Sequence, residues 1–292
     1  MVAKRCAPIG LSWDRAALVG VLARSLPVCV STVLVTWLLQ GPIVLSKPII
    51  GDSEAIGQLA VTLQLLVLSA SFPVAVGLAS LPAISRSAQR QDGKDLLFAR
   101  VMFRAAFAVG GALGFLAWGL APALVVLVLG ESYREAGELL RWALWLMIPM
   151  ILGNASLRVL EGRGHYLASS LAAMAGAVVL TASLPDLVAA LGAQGALFAA
   201  GLGMLVWCSL ALLILGRKAG TNLTSVLLRP ALTVAAAAAV CALLAPYSPS
   251  LAVTAALLML ALVGYFGGLI SASDRSRFGD LLRASLGRPR RP

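Results

Sequence analysis

The chain has 292 residues, of which 60% are hydrophobic and 12% charged, with a formal net charge of +11. A soluble domain carries about 25% charged residues, so this composition excludes an ordinary globular protein. Long charge-free stretches instead predict an all-α integral membrane protein, because a helix needs about 20 apolar residues to cross a bilayer. An outer-membrane barrel is excluded, since its strands give alternating segments of about ten residues.

About eight transmembrane helices are predicted when prolines, glycines and charges are taken as boundaries. They lie near residues 15–40, 55–82, 97–129, 136–160, 165–185, 192–216, 226–246 and 250–271. The last two share one charge-free stretch, in which Pro246 and Pro249 supply the turn. The chain is thereby divided into a cytoplasmic segment 1–14, a six-helix bundle 15–218, two additional helices 219–272 and a basic cytoplasmic tail 273–292.

The distribution of positive charge predicts the orientation, because Lys and Arg collect in cytoplasmic loops. With both termini inside, the cytoplasmic segments contain most of the basic residues, including six arginines of the tail, and only Lys47 and Arg134 face outward. We therefore expect a multi-pass protein of the cytoplasmic membrane, in contact with membrane lipid. The positive charge does not indicate nucleic-acid binding, since no soluble face is present to carry such a site.

No motif of enzymatic chemistry is found. The sequence lacks a phosphate-binding Gly-x-x-x-x-Gly-Lys loop, a His-Glu-x-x-His zinc motif and a Gly-x-Ser-x-Gly nucleophile motif. Its cysteines 6, 29, 208 and 241 have neither disulfide-framework nor zinc spacing. We expect no enzyme activity, no cofactor and no metal site.

Arg24 is the candidate binding residue of the first helix. It lies nine residues after Arg15, roughly 13 Å deeper at 1.5 Å per residue, and Pro27 follows one turn later, where it removes a helical hydrogen bond. Charged residues at such depth face a bundle interior or a water-filled cavity, although a snorkelling side chain is the alternative reading.

The fourth helix contributes three more candidates: Arg141, Asn154 and Arg158. Asn154 and Arg158 are four residues apart and therefore share one face of the helix. Arg141 can instead pair with a nearby glutamate, Glu135 or Glu138.

Gln64 is the deep polar residue of the second helix. Its side chain either contacts a ligand or forms an interhelical hydrogen bond. No Asp or Glu falls in the charge-free stretches, so the deep ionisable groups are expected to be arginines. A guanidinium presents planar paired donors that suit phosphate, whereas a carrier of organic cations would require a buried carboxylate.

Six local patterns occur in an order that resembles the oligosaccharide flippases, the polysaccharide biosynthesis membrane proteins of the MOP exporter superfamily. They are Leu-Ala-Arg-Ser-Leu-Pro at 22–27, Gly-Asp-Ser-Glu-Ala-Ile-Gly at 51–57, Leu-Pro-Ala-Ile-Ser-Arg at 81–86, Leu-Gly-Glu-Ser-Tyr-Arg-Glu-Ala at 129–136, Asn154 with Leu-Glu-Gly-Arg-Gly at 160–164, and Leu-Gly-Ala-Gln-Gly-Ala at 191–196. The resemblance extends from about residue 12 to residue 218.

This resemblance implies one lobe of a MATE-like flippase fold, the second of two six-helix lobes, followed by two extra helices. It implies translocation of a polyprenyl-diphosphate-linked oligosaccharide by alternating access, with Arg24, Asn154 and Arg158 helping to hold the diphosphate and sugar. Since only the second lobe is matched, a separate N-terminal lobe chain or a second copy of this chain would complete the cavity.

Three alternatives remain open at this stage. A cation-coupled small-molecule exporter of the same fold is disfavoured by the lack of deep carboxylates. A half-size subunit that does not transport is a second alternative. A membrane polysaccharide polymerase is the third, and it would be expected to show a larger outer loop or a catalytic acid.

Overall fold

The computed structural model describes residues 15–90, 93–220, 224–244, 252–258 and 260. Helices make up nearly all of this part of the chain, and no strand occurs in it. The helices are α1 (Arg15–Ile50), α2 (Ser53–Arg90), α3 (Lys94–Leu129), α4 (Arg134–Ala143), α5 (Met147–Gly162), α6 (Tyr166–Leu191), α7 (Ala193–Ala219) and α8 (Thr224–Leu244). Segment 1–14, tail 273–292 and most of the eighth predicted span lie outside the described residues.

Six helical segments are long and apolar enough to cross a membrane: Val19–Ile50, Ser53–Arg90, Asp95–Leu129, Glu131–Gly162, Tyr166–Leu191 and Ala193–Ala219. They correspond in order to the first six predicted spans. A shorter apolar helix, Leu227–Ala242, lies within the seventh. The prediction of an all-α, multi-pass membrane protein is confirmed.

The predicted ends of the first two helices are wrong. Helix α1 was expected to stop near residue 40 and α2 near residue 82, but they continue to Ile50 and Arg90. Helix α1 passes through Pro42 and Pro48 without ending. A proline removes only one backbone hydrogen bond, and membrane helices tolerate that loss because neighbouring groups compensate for it.

The fourth span is not one uniform helix. Helix α4 is followed by a turn of 3-10 helix, Leu144–Leu146, before α5 begins. At the start of this span, Gly130 has φ = 99°, a conformation that other residues rarely adopt, so the chain can turn sharply out of α3. The span is therefore divided into two α-helices, and the candidates Asn154 and Arg158 lie on the second, α5.

The helices form two packed groups that meet at α5. Helices α6 and α7 lie very close together, since a side-chain carbon added at Gly176 would be 2.6 Å from the carbonyl oxygen of Gly203. The fully buried Trp207 fills the space beside Gly153 of α5. Helix α1 packs on α6, while α2 and α3 pack on α5. Helix α5 is thus the central element.

Candidate functional site

A cleft lies between α2, α3 and α5 and has an empty volume of about 260 Å³, including the part that opens to the surroundings. It is lined by Pro73, Val74, Gly77, Met102, Ile151, Asn154, Ala155 and Arg158. Its wall is mainly apolar, and the two polar side chains are those of Asn154 and Arg158. A polar group that enters this small cleft would meet these two side chains.

Pro73 and Gly77 of α2 line the cleft. Pro73 has no N–H and cannot bond to the carbonyl of the preceding turn. Gly77 has no side chain, and the Cγ atom of Arg158 lies 3.7 Å from the position that a Cβ atom on residue 77 would occupy. The aliphatic part of Arg158 therefore packs against α2 at Gly77, where no side chain projects.

Asn154 and Arg158 line the same cleft, one turn apart on α5. The Nδ2 atom of Asn154 donates a hydrogen bond of 2.9 Å to the Met150 carbonyl oxygen of its own helix. Its side-chain oxygen is an acceptor of a kind suited to sugar hydroxyls or amides. These two residues are the predicted candidates that the structure brings together.

Arg158 is paired with a carboxylate that the sequence reasoning missed. Its Nη1 atom donates to Oε2 of Glu161 at 2.7 Å, and the two side chains are 12% and 3% exposed. The sequence analysis names only arginines among the ionisable groups of the site, and Glu161 adds a buried carboxylate near the end of α5. Glu161 follows Arg158 by three residues, one helical turn, so the i, i+3 spacing was the available signal.

Helix α1 also reaches this pair. The hydroxyl of Ser31, which is fully buried, donates to Oε1 of Glu161 at 3.4 Å. Arg24 stands seven residues before Ser31, which is about two turns, so the two positions lie on the same face of α1. The backbone of Arg24 belongs to α1, and its side chain lies outside the described residues.

The other two candidates do not line the cleft. Arg141 is near the opposite end of its span and pairs with Glu138 at 2.9 Å, as the alternative reading expected. Gln64 has an exposed side chain. The buried amide of α2 is Gln58, which donates to the Ser132 carbonyl oxygen and accepts from the Ala136 amide at 3.0 Å, so it ties α2 to the start of α4.

A second, partly buried ion pair holds the neighbouring helix ends together. Nε of Arg163, in the turn after α5, donates to Oδ2 of Asp95 on α3 at 2.5 Å. The Asp95 side chain is 2% exposed, and its backbone amide donates to the Ser87 hydroxyl of α2 at 3.0 Å. The C-terminal end of α2, the N-terminal end of α3 and the C-terminal end of α5 are thereby connected.

Within the described residues, no group of three or more His, Cys, Asp or Glu side chains is placed to hold a metal ion. No protein-family model, curated protein or solved structure matches this chain. The resemblance to oligosaccharide flippases therefore stays a prediction based on the six sequence patterns.

Proposed function

We propose that this chain is one lobe of a flippase that moves a polyprenyl-diphosphate-linked oligosaccharide across the cytoplasmic membrane by alternating access. The lobe rocks as a rigid body against a second lobe, either a separate chain or another copy of this one. Such rocking around a fixed site is common among transporters built from repeats. No bond is made or broken, so the protein is not an enzyme.

The observation that carries this proposal is a guanidinium on the wall of an apolar cleft between membrane-spanning helices. Arg158 offers planar donors that match phosphate oxygens, and Asn154 lies one turn away for polar groups of the sugar. The apolar residues of the cleft suit a prenyl chain. Arg24, on the α1 face that carries Ser31, is proposed as a second contact of the diphosphate.

We also propose that both termini face the cytoplasm, because the basic residues cluster in the segments assigned to that side. Single cysteines introduced into a cysteine-free background test this orientation. Ser53 and Ser132 are expected to react with an impermeant maleimide added outside intact cells, whereas Lys94 and Lys218 react only after permeabilisation. Reversal of either pair contradicts the orientation.

Photolabelling tests the proposed site directly. A farnesyl diphosphate carrying a diazirine on its prenyl chain is expected to label α2 near residues 73–77 and α5 near residues 151–158. Unlabelled farnesyl diphosphate should compete, and farnesol should not, because the diphosphate supplies the affinity for Arg158. Labelling spread over exposed positions away from the cleft, such as Leu127 and Val178, and unaffected by either competitor contradicts the site.

A cation-coupled exporter of the same fold is the second candidate, and Glu161 is the observation that favours it. A buried ionisable side chain of a membrane helix marks ion or proton sites in many transporters. Its direct bond to Arg158 neutralises the negative charge that a cationic substrate would need. An exporter of this kind would bind a lipophilic cation such as tetraphenylphosphonium in the cleft, and the flippase would not.

A further inference from the structure

We propose that Glu161 controls when Arg158 can bind an anion, so that anion binding in the cleft and protonation of Glu161 favour each other. The inference rests on the proposed function and adds a means of regulation to the same site. It starts from one contact, the 2.7 Å hydrogen bond between Arg158 and a carboxylate that is 3% exposed.

The first step concerns charge. Arginine keeps its charge at any pH that a protein experiences, so the net charge of the pair is set by Glu161 alone. When Glu161 is ionised, an anion that enters the cleft meets a guanidinium whose charge is already compensated. When Glu161 is protonated, the pair carries one positive charge inside an apolar wall, where electrostatic attraction is strong.

The second step concerns geometry. Glu161 lies one helical turn from Arg158, and its other oxygen is held by Ser31 of α1 at 3.4 Å. The carboxylate therefore stays in place when the guanidinium turns toward the cleft. Arg158 has five N–H donors in a planar fork, and its stem already lies across Gly77 on the cleft wall. A small rotation of the guanidinium replaces the Glu161 carboxylate with the bound anion as its hydrogen-bond acceptor.

The neighbouring elements supply few other charges. Helix α1 presents Ser31 to Glu161, and α2 presents the apolar Ile84 beside Gly162. On α3, the carboxylate of Asp95 is neutralised by Arg163. His165, in the turn before α6, is a titratable group of the same region and must be controlled for.

The direction of the pH dependence follows from linkage. As pH falls, Glu161 gains a proton, Arg158 is released and the affinity for an anion rises; conversely, binding of the anion draws a proton onto Glu161. Coupling between two sites is reciprocal and typically changes affinity by a factor of about 5 to 150. In transport, a proton would enter with the anionic headgroup and leave when the headgroup is released.

The test uses the purified full chain and farnesyl sulfate, whose single negative charge does not titrate between about pH 5 and about pH 9. The affinity of the wild-type chain for farnesyl sulfate is expected to rise on the order of tenfold when the pH is lowered from about 9 to about 5. Glu161→Gln should bind with the high affinity at every pH, because the neutral amide mimics the protonated acid. Glu138→Gln is the matched control, since it alters an Arg–Glu pair of the same spacing outside the cleft, and His165→Gln controls for the histidine. Both should retain the wild-type pH dependence.

If Glu161→Gln fails to fold, Ser31→Ala provides the second variant. It removes a donor to the ionised carboxylate, so it should shift the whole affinity profile toward higher pH. An unchanged pH profile in Glu161→Gln, together with weaker binding in Arg158→Gln, overturns the inference and leaves the proposed function standing. Absence of farnesyl sulfate and farnesyl diphosphate binding in every variant overturns both.

Discussion

Replacing Arg158 with glutamine is expected to reduce the flux of a prenyl-diphosphate-linked oligosaccharide by about 10- to 100-fold in an assembly that transports. A hydrogen bond to a charged group contributes about 1.5–3 kcal/mol, and each 1.4 kcal/mol corresponds to about tenfold. Arg158→Lys should rescue only part of the flux, because lysine keeps the charge but loses the planar paired donors. Flux is to be compared at matched protein level in the membrane.

This substitution also leaves Glu161 buried without its partner, which by itself destabilises the protein. The double variant Arg158→Gln with Glu161→Gln removes both charges together. It should recover the thermal stability lost by the single variant while flux stays low. Arg141→Gln, which changes an arginine outside the cleft, should leave flux near the wild-type value. Full flux in the double variant would remove Arg158 from the site.

Replacing Asp95 with alanine is expected to lower the free energy of unfolding by about 3 kcal/mol. The Asp95 side chain is 2% exposed and its partner Arg163 is 21% exposed, and removing one member of a buried pair costs about 3–5 kcal/mol because the other charge is left uncompensated. In detergent, the unfolding temperature should fall by about 5–10 °C. Thermal unfolding monitored by tryptophan fluorescence measures the change.

The exposed pair between Arg134 and Glu131 provides the matched control. Its side chains are 63% and 67% exposed, and surface pairs of this kind contribute about 0–1 kcal/mol. Glu131→Ala should therefore shift the unfolding temperature very little. Equal shifts for Asp95→Ala and Glu131→Ala would mean that the Asp95–Arg163 pair does not hold the ends of α3 and α5 together.

Hydropathy was sufficient to predict the first six spans, because the need for about 20 apolar residues per crossing leaves a strong signal in the sequence. Helix ends were harder to predict. The first predicted span ends near residue 40, yet α1 continues through Pro42 and Pro48 to Ile50. A proline shows where one hydrogen bond is lost, and tertiary packing determines whether the helix continues beyond it.

In the candidate site, too, contacts set by spacing along one helix could be predicted from the sequence, whereas contacts between distant segments could not. The shared position of Asn154 and Arg158 on the cleft follows from their four-residue spacing, which is a local property of a helix. Glu161 lies one residue beyond the predicted fourth span, which ends near residue 160. One of its hydrogen-bond donors, Ser31, lies 130 positions away in the sequence.

Gln58 and Gln64 illustrate why depth alone does not identify a buried residue. Gln64 was selected because it lies further into the predicted span. The two residues are six positions apart, and at about 100° per residue they point to different sides of α2. Gln58 faces the start of α4, whereas Gln64 is exposed. Which side of a membrane helix is buried depends on its neighbours.

Transport in reconstituted proteoliposomes tests the central claim most directly. A fluorescent prenyl-diphosphate-linked oligosaccharide is placed in both leaflets, and its loss from the inner leaflet is followed with a membrane-impermeant quencher. The account predicts quenching beyond the outer-leaflet fraction when this chain is reconstituted with a matching lobe, or as a self-assembled pair, and no such gain with Arg158→Gln. Equal quenching in protein-free vesicles, or full transport by Arg158→Gln, would contradict it.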